Sequence, residues 1–185
     1  MNSKRILPPA FLTIAAAALL AGCGKSPTAP EAAALPPAPV IHTPSRFLLQ
    51  EIVLRKFPAK TQSGEDWDYS LIASARRPDI YVYVHRTGQL PLYESDERTD
   101  ATSGNVYHFT RGYGTQDLPT YVPYTNAYRI YVMDSDVGGD HDTIGWITLN
   151  LPAIYPNDNS YEVDHVFKDS GNRIEVEVKG KWDYE

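Results

Sequence analysis

Four aspartates lie within nine residues of this chain: Asp134, Asp136, Asp140 and Asp142. Carboxylates this close repel one another, so the cluster is costly unless a cation lies among them. Oxygen ligands on a short glycine-containing turn suit calcium, which takes about 6–8 oxygens, whereas magnesium demands octahedral geometry. Zinc prefers several nitrogen and sulfur ligands, and His141 is the one such residue in this segment. The cluster therefore predicts a calcium site.

An EF-hand loop does not account for this segment. Asp134, Asp136 and Gly139 fall on positions 1, 3 and 6 of such a loop, but Gly145 stands at position 12, where a bidentate glutamate must bind. The flanking segments, YRIYVM and TIGWITLNL, alternate apolar and polar residues as strands do. We therefore expect a calcium loop between two strands.

The spacing resembles the third top loop of the C2 domain, a calcium-dependent phospholipid-binding β-sandwich. That loop carries Asp-x-Asp, a third Asp six residues later, then an apolar residue and a Gly that close the turn. Asp134, Asp136 and Asp142 have this spacing, and Ile144-Gly145 follow them. The resemblance covers about residues 45–185 and implies calcium ligation by these three carboxylates.

The first top loop of the C2 family supplies one early Asp and a second Asp just before a strand. Asp79 stands directly before the strand-like segment IYVYV, with Ile80 where the family usually has Pro. The family's common spacing puts the early ligand at Ala73, whose side chain cannot bind a metal. The resemblance therefore carries this ligand to Asp68, with Asp66 as the alternative, in a longer loop.

The same resemblance implies further contacts around one or two calcium ions. Additional candidate ligands are the carbonyls of Trp67 and Ser135 and the side chains of Asp66 and Asp140. Candidate membrane-contact residues at the loop tips are Leu71, Ile72, Arg76, Arg77 and Val137. The implied target is a phospholipid head group or an envelope protein.

Period-2 alternation of apolar residues predicts the strands that must position these loops. Ile174, Val176 and Val178 share one parity while Glu175 and Glu177 take the other, which is typical of a strand with one buried face. Comparable segments are 47–57, 79–86, 90–97, 105–110, 119–124, 127–133, 143–151, 160–167 and 172–182. Together they predict an all-β fold, an eight-stranded antiparallel β-sandwich. The first and last strands resemble the type II C2 topology.

The first 22 residues resemble a bacterial lipoprotein signal peptide. Lys4 and Arg5 precede an apolar segment at 10–20, which is shorter than the roughly 20 residues of a membrane-spanning helix. The segment ends in Leu-Ala-Gly-Cys23, which is similar to a lipobox, and Cys23 is the only cysteine in the chain. We expect Cys23 to be lipidated, and Gly24 after it favours outer-membrane sorting in a Gram-negative host.

Residues 23–44 predict a spacer between this anchor and the sandwich. Six prolines lie between positions 24 and 44, and proline lacks the N–H that helices and sheets need. The spacer would have a reach on the order of 60 Å at ~3.1 Å per residue. Its implied role is to hold residues 45–185 away from a membrane.

Charge and composition exclude several functions. The formal charge is 17 − 23 = −6, which argues against nucleic-acid binding because phosphate contacts demand a basic face. No nucleophile elbow or H-E-x-x-H motif is present, so we do not expect an enzyme. The sequence thus predicts a non-enzymatic, lipid-anchored calcium module of a bacterial cell envelope. The alternative is a metal-independent structural or adhesive sandwich that binds a protein partner.

Overall fold

The computed structural model of the protein describes residues 40, 42–68, 76–124, 127–136, 141–155 and 161–184. Nine strands run through these residues: β1 (Arg46–Lys56), β2 (Ile80–His85), β3 (Tyr93–Glu94), β4 (Tyr107–Phe109), β5 (Thr120–Pro123), β6 (Tyr128–Asp134), β7 (Asp142–Leu149), β8 (Glu162–Lys168) and β9 (Glu175–Asp183). The 3-10 turn Leu151–Ile154 follows β7. The all-β prediction is confirmed.

The strands form two antiparallel sheets. The first sheet has the order β4–β1–β9–β8, with β5 also pairing with β1, and the second has the order β3–β2–β6–β7. The first and last strands of the domain therefore lie side by side, from the Arg46–Asp183 pair to the Lys56–Glu175 pair. The centre of the first sheet is therefore held by contacts between residues that are distant in sequence.

Alternating side chains explain why the sheets pack face to face. On β2, Ile80, Val82 and Val84 are buried while Tyr81 and Tyr83 are half-buried on the other face. The inner faces of both sheets meet in one core, and fully burying each aliphatic or Phe side chain contributes about 1.5–3 kcal/mol. Its largest buried members are Tyr93, Phe47, Phe109, Leu49, Ile52, Leu54, Ile80, Ile130, Ile147, Leu149, Leu151 and Ile174. The predicted antiparallel sandwich is confirmed.

One strand is shorter than its sequence pattern predicted. The segment 90–97 was expected to be extended throughout, but β3 spans only Tyr93–Glu94. The next residue, Ser95, accepts the backbone N–H of Val82 with its side-chain Oγ at 2.9 Å, so a hydroxyl takes the place of a ladder carbonyl. Ser95 also forms an isolated bridge with Gly112, and regular pairing with β2 is interrupted there until Arg98 pairs with Ile80.

A β-bulge lies next to the predicted calcium loop. The register between β6 and β7 shifts so that Val132 pairs with Gly145, whereas Met133 pairs with Thr143. Ile144 is the extra residue and its side chain is buried. Bulges of this kind bend a strand and re-aim the side chains beyond them. The bulge therefore sets the position of the final pair, Asp134 and Asp142.

The described residues belong to one compact unit, residues 39–185. The predicted signal peptide at 1–22, the predicted lipidation site Cys23 and most of the predicted spacer lie outside the described residues. At the end of the spacer, Pro44 is buried and the carbonyl of His42 accepts a hydrogen bond from the Tyr155 hydroxyl. In the described part of the chain, no helix has the length and apolarity needed to span a membrane.

Candidate functional site

The site is built around Asp134, the last residue of β6. Tyr128, Ile130 and Val132 point into the core, and the same parity turns the carboxylate of Asp134 inward, where it is 0% exposed. Its Oδ1 accepts the backbone N–H of Asp79 at 2.8 Å. Its Oδ2 is buried and has no hydrogen-bond partner among the described residues. A buried carboxylate oxygen in this state is costly unless something else binds it.

Two further carboxylates lie close to Asp134. One oxygen each from Asp68, Asp134 and Asp136 fall within 4.8 Å of one another. Oxygens that share one calcium ion at about 2.3–2.6 Å lie at most roughly 5 Å apart, so the spacing fits a common ion. Asp68 lies in the long loop between β1 and β2, and Asp136 lies in the loop after β6. The group therefore joins the two loops that the sequence predicted to converge.

The electrostatics of the group favour a bound cation. Burial raises the pKa of Asp134 to about 7, the Asp79 amide opposes this, and the charges of Asp68, Asp136 and Asp79 add to it. Burial also raises the pKa of Asp68, with contributions from Asp79 and Asp136 and from Asp100. A divalent ion would compensate these charges and stabilise the ionised forms.

The structure distinguishes Asp68 from its alternative, Asp66. The Asp66 carboxylate contacts Lys60 Nζ at 3.0 Å and Arg76 at 3.6 Å. The Lys60 hydrogen bond is the main reason that the pKa of Asp66 is lowered. Asp66 therefore already has cationic partners, whereas Asp68 faces other carboxylates. Of these two, Asp68 is the one that the structure brings to the group.

Asp79 and Asp142 lie beside the group but are not members of it. The Oδ1 of Asp79 accepts the backbone N–H of Asp100 at 2.6 Å, and its own N–H binds Asp134. Burial raises the pKa of Asp79, although the Asp100 amide opposes this. Asp142 is exposed and pairs with Asp134 across the ladder. Ligation by Asp79 and Asp142 stays a prediction.

The two predicted carbonyl ligands belong to residues that are fixed by other contacts. Trp67 packs against the core and its indole Nε1 donates to the Pro58 carbonyl at 3.0 Å. Ser135 donates its backbone N–H to the Asp79 carbonyl at 2.9 Å. Both residues adjoin members of the group in sequence. Their carbonyl contacts with an ion stay predictions.

The predicted membrane-contact residues are only partly described. Arg76 contacts Asp66, and Arg77 donates from Nη1 to Thr102 Oγ1 at 3.0 Å. The other predicted tip residues, Leu71, Ile72 and Val137, and the additional ligand Asp140 lie outside the described residues. Contact with a membrane therefore stays a prediction for all five tip residues.

A second surface feature was not assigned any role from the sequence. Tyr81, Tyr83 and Tyr131 form a row on the outer face of the second sheet, with Tyr83 and Tyr131 stacked at 4.8 Å and 5°. The signal was available, because Tyr81 and Tyr83 share one parity on β2. Tyrosine is common in ordinary strands, so this alternation does not by itself identify a binding surface.

The ligand atoms that Asp68, Asp134 and Asp136 offer indicate which metal ions this cluster can bind. All three members offer oxygen, and no His or Cys of the described residues joins them. Oxygen ligands suit hard cations such as calcium and magnesium. The carboxylates on two loops at one end of the sandwich can therefore hold a hard divalent cation.

Comparisons with known proteins give similarities in fold. No protein-family model and no curated protein matches the chain. Among solved structures, a pair of C2 domains from extended synaptotagmin 2 matches at 15% identity over 84% of this chain and 48% of that chain, with a TM-score of 0.43. A single C2 domain of plant extended synaptotagmin 1 matches at 13% identity over 77% of this chain and 98% of that chain, with a TM-score of 0.42.

A third similar structure is human GIVD cytosolic phospholipase A2. It matches at 11% identity over 77% of this chain and 18% of that chain, with a TM-score of 0.45. This chain therefore spans about half the length of the extended synaptotagmin 2 structure and less than a fifth of the phospholipase. At these TM-scores the likenesses carry no argument about function.

Proposed function

We propose that the protein is a non-enzymatic, lipid-anchored calcium-binding module of a bacterial cell envelope. The observation that supports this most directly is the Oδ2 of Asp134, which is buried without a partner among the described residues beside the carboxylates of Asp68 and Asp136. A calcium ion bound there supplies the missing partner for Oδ2. It also offsets the charge of three neighbouring carboxylates.

Calcium would act by tying two loops together. Asp68 lies in the loop between β1 and β2, and Asp136 lies in the loop after β6. Three carboxylates leave positions free for other ligands, since calcium takes about 6–8 oxygens. Water, the predicted carbonyls of Trp67 and Ser135, or the oxygens of a target fill these positions. One or two ions then hold both loops in a single arrangement that presents them to a target.

The anchor and the target belong to the same proposal. Lipidation of Cys23 would attach the chain to an envelope membrane, which is the outer membrane in a Gram-negative host, with residues 23–44 as a spacer. The target is a phospholipid head group or an envelope protein. The negative net charge opposes calcium-free binding to anionic lipid, so calcium controls the contact.

Calorimetric titration and thermal unfolding of the purified full-length protein test calcium binding. Calcium at about 100 times its dissociation constant should stabilise the fold by about 2.7 kcal/mol. Asp68→Asn should abolish this response. Asp66→Asn is the matched control, because Asp66 lies two residues away and pairs with Lys60 and Arg76. Calcium that neither binds nor shifts the melting temperature would refute the proposal.

Vesicle binding separates the predicted targets. Cosedimentation with phosphatidylserine-containing vesicles should require calcium, and Asp68→Asn should lose it. Retention of an envelope protein with no calcium dependence would instead support the metal-independent adhesive alternative.

A further inference from the structure

The second sheet carries an ordered aromatic surface on its solvent side. Tyr83 on β2 and Tyr131 on β6 are register partners, and their rings stack in parallel at 4.8 Å. Tyr81 continues the row, 6.4 Å from Tyr83 at 26°, and His141 meets Tyr81 edge-on at 5.5 Å. We call these four residues the aromatic row. Because the rings hold one another in place, a ligand bound there costs them little conformational entropy.

Two neighbouring cavities open beside the aromatic row. One has a volume of about 250 Å³ and the other about 490 Å³, and Tyr81, Glu94 and His141 line both. The smaller cavity also includes Glu97 and Tyr113, and Tyr113 is 72% exposed. Together they give an open depression whose lining includes aromatic rings and carboxylates.

The charges in the depression select against an anionic ligand. Glu94 and Glu97 are lining residues, while no Lys or Arg is among the described residues that line either cavity. A phosphate head group would meet like charge without a basic partner there. Neutral hydroxyl groups, by contrast, can donate hydrogen bonds to both carboxylates.

Tyrosine side chains supply the other half of the recognition chemistry. The faces of aromatic rings are negative, so they attract the weakly positive C–H groups of a pyranose ring. A phenol O–H donates hydrogen bonds, and Tyr81 lines the same cavity as the carboxylates of Glu94 and Glu97. The Tyr81 hydroxyl is therefore a donor in a cavity that also offers two acceptors.

We propose that the aromatic row and the cavities lined by Glu94 and Glu97 bind a neutral glycan. The sugar rings lie against the tyrosines while their hydroxyl groups bind the two carboxylates. This surface adjoins the cluster of Asp68, Asp134 and Asp136, since Ser135 lines the smaller cavity, but none of the three carboxylates lines either cavity. The glycan contacts use Tyr81, Glu94 and Glu97 rather than these carboxylates, so comparing binding in calcium and in EDTA separates the two proposals.

Affinity electrophoresis of the purified full-length protein tests the proposal. The probes are neutral polysaccharides (β-glucan, xylan, mannan and galactan) and soluble chitin oligosaccharides, each with calcium and with EDTA. At least one neutral probe should retard the protein under both conditions. Anionic heparin and vesicles of phosphatidylcholine with phosphatidylglycerol should not bind this face. Failure of every neutral probe overturns the proposal, as does binding of vesicles that Tyr81→Ala abolishes.

Variants connect any retardation to this surface. Tyr81→Ala should weaken glycan affinity about tenfold or more. Glu94→Ala, a surface change that leaves the core intact, should weaken it as well and keeps the test valid if Tyr81→Ala does not fold. The matched control is Tyr121→Ala, since Tyr121 is 46% exposed on the other sheet. Equal losses in Glu94→Ala and Tyr121→Ala would overturn the assignment to this face.

Discussion

The backbone N–H of Asp79 donates a hydrogen bond of 2.8 Å to Oδ1 of Asp134. It joins the start of β2 to the end of β6, which are adjacent antiparallel strands. One carboxylate oxygen of Asp134 is thereby fixed, and the other lies near Asp68 and Asp136 without a partner among the described residues. The geometry of the proposed calcium site depends on this contact.

Replacing Asp134 by Asn should separate folding from calcium binding. The amide keeps an oxygen for the Asp79 N–H but removes a buried charge that faces two other carboxylates. At pH 8 without calcium, we expect Asp134→Asn to raise the free energy of unfolding by about 1–3 kcal/mol. The calcium-induced rise in melting temperature should disappear. Urea unfolding with and without calcium measures both effects, and a destabilised variant that still responds to calcium would contradict them.

The raised pKa of Asp134 predicts an unusual pH dependence of stability. Its folded pKa, about 7, lies above the unfolded value of about 3.9, so the folded protein binds more protons between these values. The stability of the calcium-free protein should therefore fall as the pH rises from about 4 to 7. The measurement is urea unfolding at a series of pH values across this window.

Two controls assign this pH dependence to Asp134. Subtracting the curve of Asp134→Asn cancels the titration of groups that do not interact with Asp134, so the difference should contain the decline caused by Asp134 and the carboxylates coupled to it. Saturating calcium should flatten the wild-type curve, because the bound ion compensates the ionised carboxylate. A difference curve that rises with pH in this window would contradict the prediction.

Asp79 should act mainly through its hydrogen bonds. Its Oδ1 accepts the N–H of Asp100 at 2.6 Å, and Asp100 has a φ of 51°, so this contact holds a left-handed turn. Asp79→Ala should lower the free energy of unfolding by about 1.5–3 kcal/mol, as for a hydrogen bond to a charged group. Asp79→Asn keeps an acceptor and should cost less in chemical denaturation.

The same variant shows how directly Asp79 contributes to calcium binding. Because Asp79 is not in the group of three carboxylates, Asp79→Asn should reduce calcium affinity less than Asp68→Asn does. Calorimetric titration compares the two affinities. Equal losses would mean that Asp79 ligates the ion as Asp68 does.

Gly180 should tolerate no larger side chain within the first sheet. A Cβ at this position on β9 would collide with the Phe47 ring and with the backbone carbonyl of Leu48. Overpacking of this kind costs about 1–3 kcal/mol, so Gly180→Ala should lower the urea midpoint. Gly104→Ala is the control, since a Cβ there meets nothing within 4 Å, and it should be nearly neutral. Similar midpoints for both variants would show that β9 adjusts freely.

Sequence by itself determined the fold class, and it predicted the type of chemistry proposed for the site. Period-2 alternation places Val82 and Val132 in the core because successive side chains of a strand point to opposite faces. Local spacing also predicted a metal loop at Asp134 and Asp136. Asp134 continues the alternation of Tyr128, Ile130 and Val132, so the same pattern indicates that its carboxylate faces inward.

Only the tertiary structure decided which carboxylates meet. Asp66 and Asp68 are near-equivalent in sequence, but Lys60 and Arg76 pair with Asp66 while Asp68 lies beside Asp134. The row of Tyr83 and Tyr131 likewise requires the register of β2 against β6. Such contacts join residues far apart in the chain, so they follow from how the sheets pair and pack, which local periodicity does not specify.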